Sequence, residues 1–152
     1  MLDTRHIGTV LSRHSAEVEA GRLRFFAKAT GQTDARYTDK AAATAAGYRA
    51  LPVPPTFLFC LEMEAPNPRA TIDLLGIDIG SILHGEQSFQ YHRMAFAGER
   101  LHFEVRIADI YEKKGGALGF VVRETKVTDG DGGAVADLRS VIVVRGKARE
   151  GK

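Results

Sequence analysis

From Leu101 to Ile107 apolar and polar residues alternate without a break. Leu101, Phe103, Val105 and Ile107 fall on one side, His102, Glu104 and Arg106 on the other. A period of two over this length predicts an antiparallel strand with one buried face. Glu112 to Gly116 is polar and ends in two glycines, which predicts a turn. Leu118 to Thr128 is β-branched and aromatic and predicts a second strand. Asp129-Gly130-Asp131-Gly132-Gly133 is the strongest turn signal in the chain, because its glycines allow positive φ. Ala134 to Val144 predicts a further strand, whose end, Val141-Ile142-Val143-Val144, reads as buried on both faces. Ile82 to Met94, closed by Ala97-Gly98-Glu99, completes a four-stranded antiparallel meander.

The first half has a different period. Glu19 to Thr30 places Leu23, Phe26 and Ala27 at helical spacing, and Gly31 supplies the stop. Thr38-Asp39 caps a second, alanine-rich helix from Lys40 to Ala46, ended by Gly47. After the extended Pro52-Val53-Pro54-Pro55 comes the mostly apolar run Thr56 to Met63. Proline is tolerated in a first helical turn, so this run reads as a buried helix, although a buried strand has the same periodicity. Pro66 and Pro68 stop it, and Ser15 to Glu19 is a weaker strand candidate. The sum is an α+β fold: a curved antiparallel sheet with one apolar helix against its concave face.

Length and composition narrow the classes. The 152 residues make one domain, 1–152, with a charged tail at about 146–152. A single cysteine, Cys60, excludes an internal disulfide, and no Cys/His spacing offers a zinc site. Lys and Arg number 21 against 19 Asp and Glu, scattered along the chain, which gives no electrostatic case for nucleic acid or an anionic membrane. No apolar run reaches the roughly 18 residues of a membrane span, and Met1 to His6 lacks an apolar signal core. A cytoplasmic globular domain without cofactor or metal is the expectation.

No Gly-x-Ser-x-Gly elbow, phosphate-binding loop or dinucleotide fingerprint is present. Two polar segments stand out instead. Ala29 to Asp39 connects the two helices, and Leu83 to Arg93 carries His84, Glu86, Ser88, Gln90 and His92. In an unbroken strand those five share one face, with Leu83, Phe89 and Tyr91 on the other. A bulge at Gly85 would change that parity.

At these segments the chain resembles the MaoC-like dehydratases, in particular their N-terminal-type, FAS1-like dehydratase half. The matching pieces run in order from about Gly21 to Arg145: Phe26-Ala27-Lys28-Ala29-Thr30-Gly31, Ala46-Gly47-Tyr48, Val53-Pro54-Pro55-Thr56-Phe57, Leu83-His84-Gly85-Glu86-Gln87, Tyr91-His92-Arg93 and Ala97-Gly98-Glu99. The resemblance implies a single hot-dog fold, a curved antiparallel sheet around a long central helix. It also implies (R)-specific hydration of 2-enoyl thioesters, or the reverse dehydration of 3-hydroxyacyl thioesters. Active members use an Asp and a His in Gly-Asp-x-Asn-Pro-Leu-His, with backbone N–H groups near the central helix on the thioester oxygen.

This chain reads Gly31-Gln32-Thr33-Asp34-Ala35-Arg36-Tyr37 there. Gln32 stands at the aspartate position and Tyr37 at the histidine position. An amide has no useful basicity near pH 7, and a tyrosine hydroxyl titrates near 10. Asp34 is the remaining candidate acid. Dyad-less halves in the family line the acyl tunnel while a partner supplies Asp and His. The leading expectation is therefore an acyl-thioester-binding half, dimeric with itself or with a catalytic MaoC-like subunit. Asp34, Tyr37, Thr56, Phe57, His84 and Glu86 are its candidate substrate contacts, with Thr56 and Phe57 N–H groups as oxyanion donors. The alternatives are a hot-dog thioesterase using Glu62 or Glu64, an active homodimeric hydratase using His84 and Glu86, and a binding module for acyl-CoA. Cys60, Phe57, Leu58, Phe59 and Leu61 are expected in the core; His6, His14 and His102 are expected at the surface; His92 and Arg93 are expected to brace the following turn or meet a dimer partner.

Overall fold

The computed structural model describes residues 2–146, so the expected charged tail, apart from Gly146, lies outside the described residues. Five antiparallel strands form one sheet: β1 (Val10–Glu17), β2 (Ile82–Tyr91), β3 (Arg100–Lys113), β4 (Leu118–Thr128) and β5 (Ala134–Arg145). Four short helices precede or interrupt them: α1 (Ala20–Ala29), α2 (Lys40–Ala45), α3 (Leu58–Glu62) and α4 (Ala70–Leu75).

The sheet order is β1-β3-β4-β5-β2, which corrects the expected meander. Only β3, β4 and β5 follow one another as hairpins. β2 crosses to the far edge and pairs with β5, Phe89 opposite Leu138 and Tyr91 opposite Ala136. The weak strand candidate moves as well. β1 begins at Val10 and ends at Glu17, and Val18 leaves the ladder fully buried, exchanging backbone hydrogen bonds with Gly98 and Glu99.

Register fixes which side chains meet the helices. Leu101, Phe103, Val105 and Ile107 share a face with Val127, Thr125 and Arg123 of β4 and with Ala136, Leu138 and Ser140 of β5. Phe57, Leu58 and Leu61 pack on that face with Leu101, Phe103, Val127, Val135 and Leu138. Each fully buried leucine there contributes about 1.5–3 kcal/mol. A second cluster, Ile77 with Ile107, Ile110, Val121 and Ile142, extends the core along the sheet, with Ile72 and Leu75 of α4 packed against it. The opposite face is charged and paired: Arg13–Glu104 and Arg106–Glu124 at 2.7 Å, Arg139–Glu86 at 3.4 Å. Val141 and Ile142 are buried but Val143 and Val144 only partly, so the expected two-sided burial holds for half of that run.

The helix over the sheet is shorter than expected. Pro54 and Pro55 give no N–H, and Thr56 sits at φ +72°, a left-handed backbone rare for a β-branched residue, so α-helix starts only at Leu58. It ends at Glu62, ahead of Pro66 and Pro68. α1 and α2 follow their signals closely: Gly31 and Gly47 take positive φ, and the Asp39 carboxylate accepts from Ala42 N–H at 2.7 Å. Cys60 is half-buried against the core. Phe59 is also half-buried and meets His84 edge-on.

Two histidines expected at the surface are engaged. His14 stacks on Phe103 and its Nε2 lies 3.1 Å from Leu61 O, while His102 Nδ1 is 2.6 Å from Ser15 Oγ. Ala16 and His14 alternate inward on β1, opposite Leu101 and Phe103, which is why His14 is drawn under α3.

Candidate functional site

A cavity of about 220 Å³ opens beside the start of α3. Its wall is mostly apolar: Val53, Pro55, Leu58, Met94, Ala95 and Val135, with Tyr37, Tyr91 and Arg93 as its polar members. Larger depressions lie on the outer sheet face, around Arg13 and Glu104 and around Glu124 and Arg139, and beside the start of α1, around Glu17, Arg24 and Lys40; charged side chains of both signs line each of them. An apolar recess with a few polar groups is the common form of a small-molecule site.

The Gln32–Tyr37 segment reaches this cavity at one end only. Asp34 caps a 3-10 turn, Ala35–Tyr37, by accepting from Arg36 N–H at 3.0 Å. That turn carries Tyr37 into the cavity wall. Gln32 Oε1 accepts from Asp34 N–H at 3.0 Å, so the amide braces the turn. The Arg36 guanidinium, 2.7 Å from Asp34, holds that carboxyl below the usual carboxylate range, with help from Arg36 N–H. A carboxylate so held is a poor proton acceptor, and among the described residues neither Gln32 nor Asp34 lines the cavity.

The two expected backbone donors are occupied. Thr56 N–H donates to the Tyr91 hydroxyl at 2.9 Å, and Phe57 N–H donates to Pro54 O at 3.2 Å. Phe57 itself turns into the core, 2% exposed, edge-on to Phe26 at 5.2 Å, with Arg22 over its ring. Thr56 therefore meets the site through Tyr91, and Phe57 lies behind it.

His84 and Glu86 are separated by a bulge. The β2–β5 register shifts between them, His84 lying opposite Ile142 and Glu86 opposite Val141. His84 thus shares the helix-side face with Phe89 and Tyr91, 6.2 Å edge-on from Phe59, while Glu86 joins Arg139 on the outer face. They form no acid/base pair. Gly85 permits the bulge at close quarters: a Cβ there would meet Val143 Cγ2 at 2.8 Å and Val141 O at 3.0 Å.

The carboxylates considered for thioester hydrolysis are also committed. Glu62, 5% exposed, accepts from Arg123 Nη2 at 3.1 Å and Thr125 Oγ1 at 2.8 Å. Glu64 pairs with Arg22 at the surface.

Sequence reasoning missed Tyr91, Met94, Ala95 and Val135 as cavity wall. The available signal was strand parity, since Tyr91 alternates with Phe89 on the face turned to the helix, where their rings stack. Arg93 was expected to brace the turn and does: its guanidinium binds Glu99 at 3.0 Å and Asp129 at 2.9 Å. The Glu99 contact above all, then the Asp129 one, raises its pKa further.

Among the described residues no helix is long and apolar enough to cross a membrane, and no group of three His, Cys, Asp or Glu is placed to hold a metal ion.

Known proteins resemble the chain over most of its length. A family model described as "FAS1-like, dehydratase domain region" matches residues 5–138. A UPF0336 protein of Saccharopolyspora erythraea is 34% identical over 134 residues, covering 88% of this chain and 85% of that protein. One of Thermobifida fusca is 33% identical over 135 residues, covering 89% and 88%. Among solved structures, the HadBC (3R-hydroxyacyl-ACP dehydratase) complex of Mycobacterium tuberculosis has a chain 26% identical with a TM-score of 0.72, covering 87% of this chain and 93% of that one. A MaoC-like dehydratase is 25% identical with a TM-score of 0.77; 90% of this chain covers only 42% of it.

Proposed function

Since the chain belongs to the FAS1-like dehydratase family and has its α+β hot-dog fold, we propose that it is the acyl-binding half of a two-part MaoC-like hydratase. In the reaction, the oxygen of water adds to the β-carbon of a 2-enoyl thioester and a proton to its α-carbon; dehydration is the reverse. This half holds the acyl chain, and a catalytic MaoC-like subunit brings the Asp and His that move the protons. Binding energy from the acyl chain then goes into placing the reacting carbons against the partner's groups.

The observation that carries the proposal is the state of the dyad positions. Gln32 braces a turn, Asp34 is tied to Arg36, and Tyr37 alone enters the cavity wall. No acid/base pair remains beside the cavity among the described residues, yet an apolar recess does. The separation of His84 from Glu86 counts against an active homodimer using that pair. The engagement of Glu62 and Glu64 counts against a thioesterase.

A partner has a natural seat. β2 closes the sheet at one edge, ten residues long and exposed over most of its length. Such an edge, free of proline and lysine, is a template for another chain's strand. The HadBC structure is itself a complex, which supports a two-chain assembly here.

The test is enoyl-thioester absorbance, with free thiol followed in parallel. The chain alone should leave both unchanged, and mixing it with a MaoC-like subunit that carries Gly-Asp-x-Asn-Pro-Leu-His should start hydration. Robust turnover by the chain alone, or a monomer in sedimentation both with and without that subunit, would end the proposal.

A further inference from the structure

Tyr91 ends β2 at the wall of the 220 Å³ cavity, its ring stacked parallel to Phe89 at 6.0 Å. Its hydroxyl oxygen accepts from Thr56 N–H at 2.9 Å, the one hydrogen bond this hydroxyl makes among the described residues. A phenol has one proton to give and lone pairs to receive. With a lone pair taken by Thr56, the proton is left for a ligand. Thr56 is itself held at φ +72°, so the backbone there is strained into the arrangement that offers its N–H to Tyr91.

We propose that Tyr91 is the residue of this chain that recognises the thioester carbonyl, donating its O–H to the carbonyl oxygen of an acyl group seated in the cavity. The inference rests on the acyl-binding function proposed above. It replaces the expected Thr56 backbone donor by a side chain placed between that N–H and the ligand. A phenol whose oxygen already accepts a hydrogen bond is a stronger donor, because linked hydrogen bonds polarise one another. Tyr37, in the same wall, forms no hydrogen bond through its hydroxyl among the described residues and lacks this support.

The experiment compares octanoyl-pantetheine with its octyl thioether, which keeps the arm and chain but lacks the carbonyl. Pantetheine is common to coenzyme A and acyl-carrier protein, so the comparison is neutral to the carrier. Calorimetry on the wild-type chain should show the thioester bound more tightly than the thioether, by roughly three- to tenfold for one hydrogen bond. Tyr91→Phe keeps the ring stack and should erase that difference by weakening the thioester alone. Persistence of the difference in Tyr91→Phe would overturn the assignment. Tighter thioester binding by that variant would also overturn it, since the freed Thr56 N–H would then be the better donor. Equal binding of both ligands by the wild type would show that the chain does not read the carbonyl and would leave acyl binding intact. Binding of neither ligand by the wild type would remove the acyl-binding function itself and the inference with it. Unchanged far-ultraviolet circular dichroism keeps a folding defect from counting as lost binding.

Discussion

Glu62 on α3 and Arg123 on β4 meet at 3.1 Å inside the molecule, their side chains 5% and 11% exposed. Thr125 Oγ1 donates to the same carboxylate, and Arg123 Nε donates to Ser140 Oγ at 3.2 Å. The helix is therefore fastened to the sheet by charge as well as by leucines. Glu62→Ala would strand a buried guanidinium and should cost about 3–5 kcal/mol in urea denaturation. Glu64→Ala, which loses only the exposed pair with Arg22, should cost at most about 1 kcal/mol. Equal effects would show that the buried pair is solvated.

Ala95 is 5% exposed in the cavity wall, beside Val135. Ala95→Leu extends the side chain into open volume, so its cost should fall below the roughly 1–3 kcal/mol of an overpacked core. Binding of octanoyl-pantetheine should weaken more than that of the butanoyl compound. If calorimetry shows both unchanged, the acyl chain lies elsewhere.

Gly85 has no room for a side chain, with Val143 Cγ2 and Val141 O within 3.0 Å of where a Cβ would lie. Gly85→Val should lower stability by about 1–3 kcal/mol and speed amide exchange along β2 and its β5 partners. Gly21→Ala in α1, with nothing within 4 Å, is the control and should raise stability by about 0.4–1 kcal/mol. A neutral Gly85→Val would mean that the bulge shifts freely.

Asp129 accepts from Arg93 at 2.9 Å and from the N–H groups of Gly133 and Asp131 at 2.8 and 3.0 Å. The Arg93 contact above all, then Gly133 N–H, holds its carboxyl below the usual range. The unfolded chain takes up this proton near pH 3.9, the folded chain only at lower pH. The stabilisation is thus complete above that range and is lost as pH falls through the folded value. Asp129→Asn should lower Tm at pH 7 and flatten the decline of Tm between pH 5 and pH 2.5, measured by differential scanning calorimetry. An unchanged slope would place the acid sensitivity in other carboxylates.

Local pattern made much of the fold legible. β4 runs from Leu118 to Thr128 as its β-branched and aromatic run between glycine turns predicts, and Asp39 and Gly31 cap and stop helices where expected. The place of β2 was not legible, because its partner is chosen by the buried face of β5 and not by proximity in sequence. Period-two reasoning put His84 beside Glu86, and the extra residue at Gly85 reversed one of them. At the site, Tyr37 was found and Tyr91 was not. Tyr37 stands at a dyad position of the motif, whereas Tyr91 lies in a matching piece with no assigned role, and its role depends on Thr56, thirty-five positions away.

The sheet order also has a consequence for synthesis. β2 leaves the ribosome before β3 and β4, yet it sits on the far side of β5, which is made after both. β3 and β4 can close as a hairpin and collect β1 while β2 waits without a neighbour. Its edge is therefore open to strange strands in the nascent protein, until Ala134–Arg145 emerges to cover one side of it. A chain truncated ahead of β5 lacks the strand that pairs with β2, so a lower soluble yield than that of the full chain is its expected outcome.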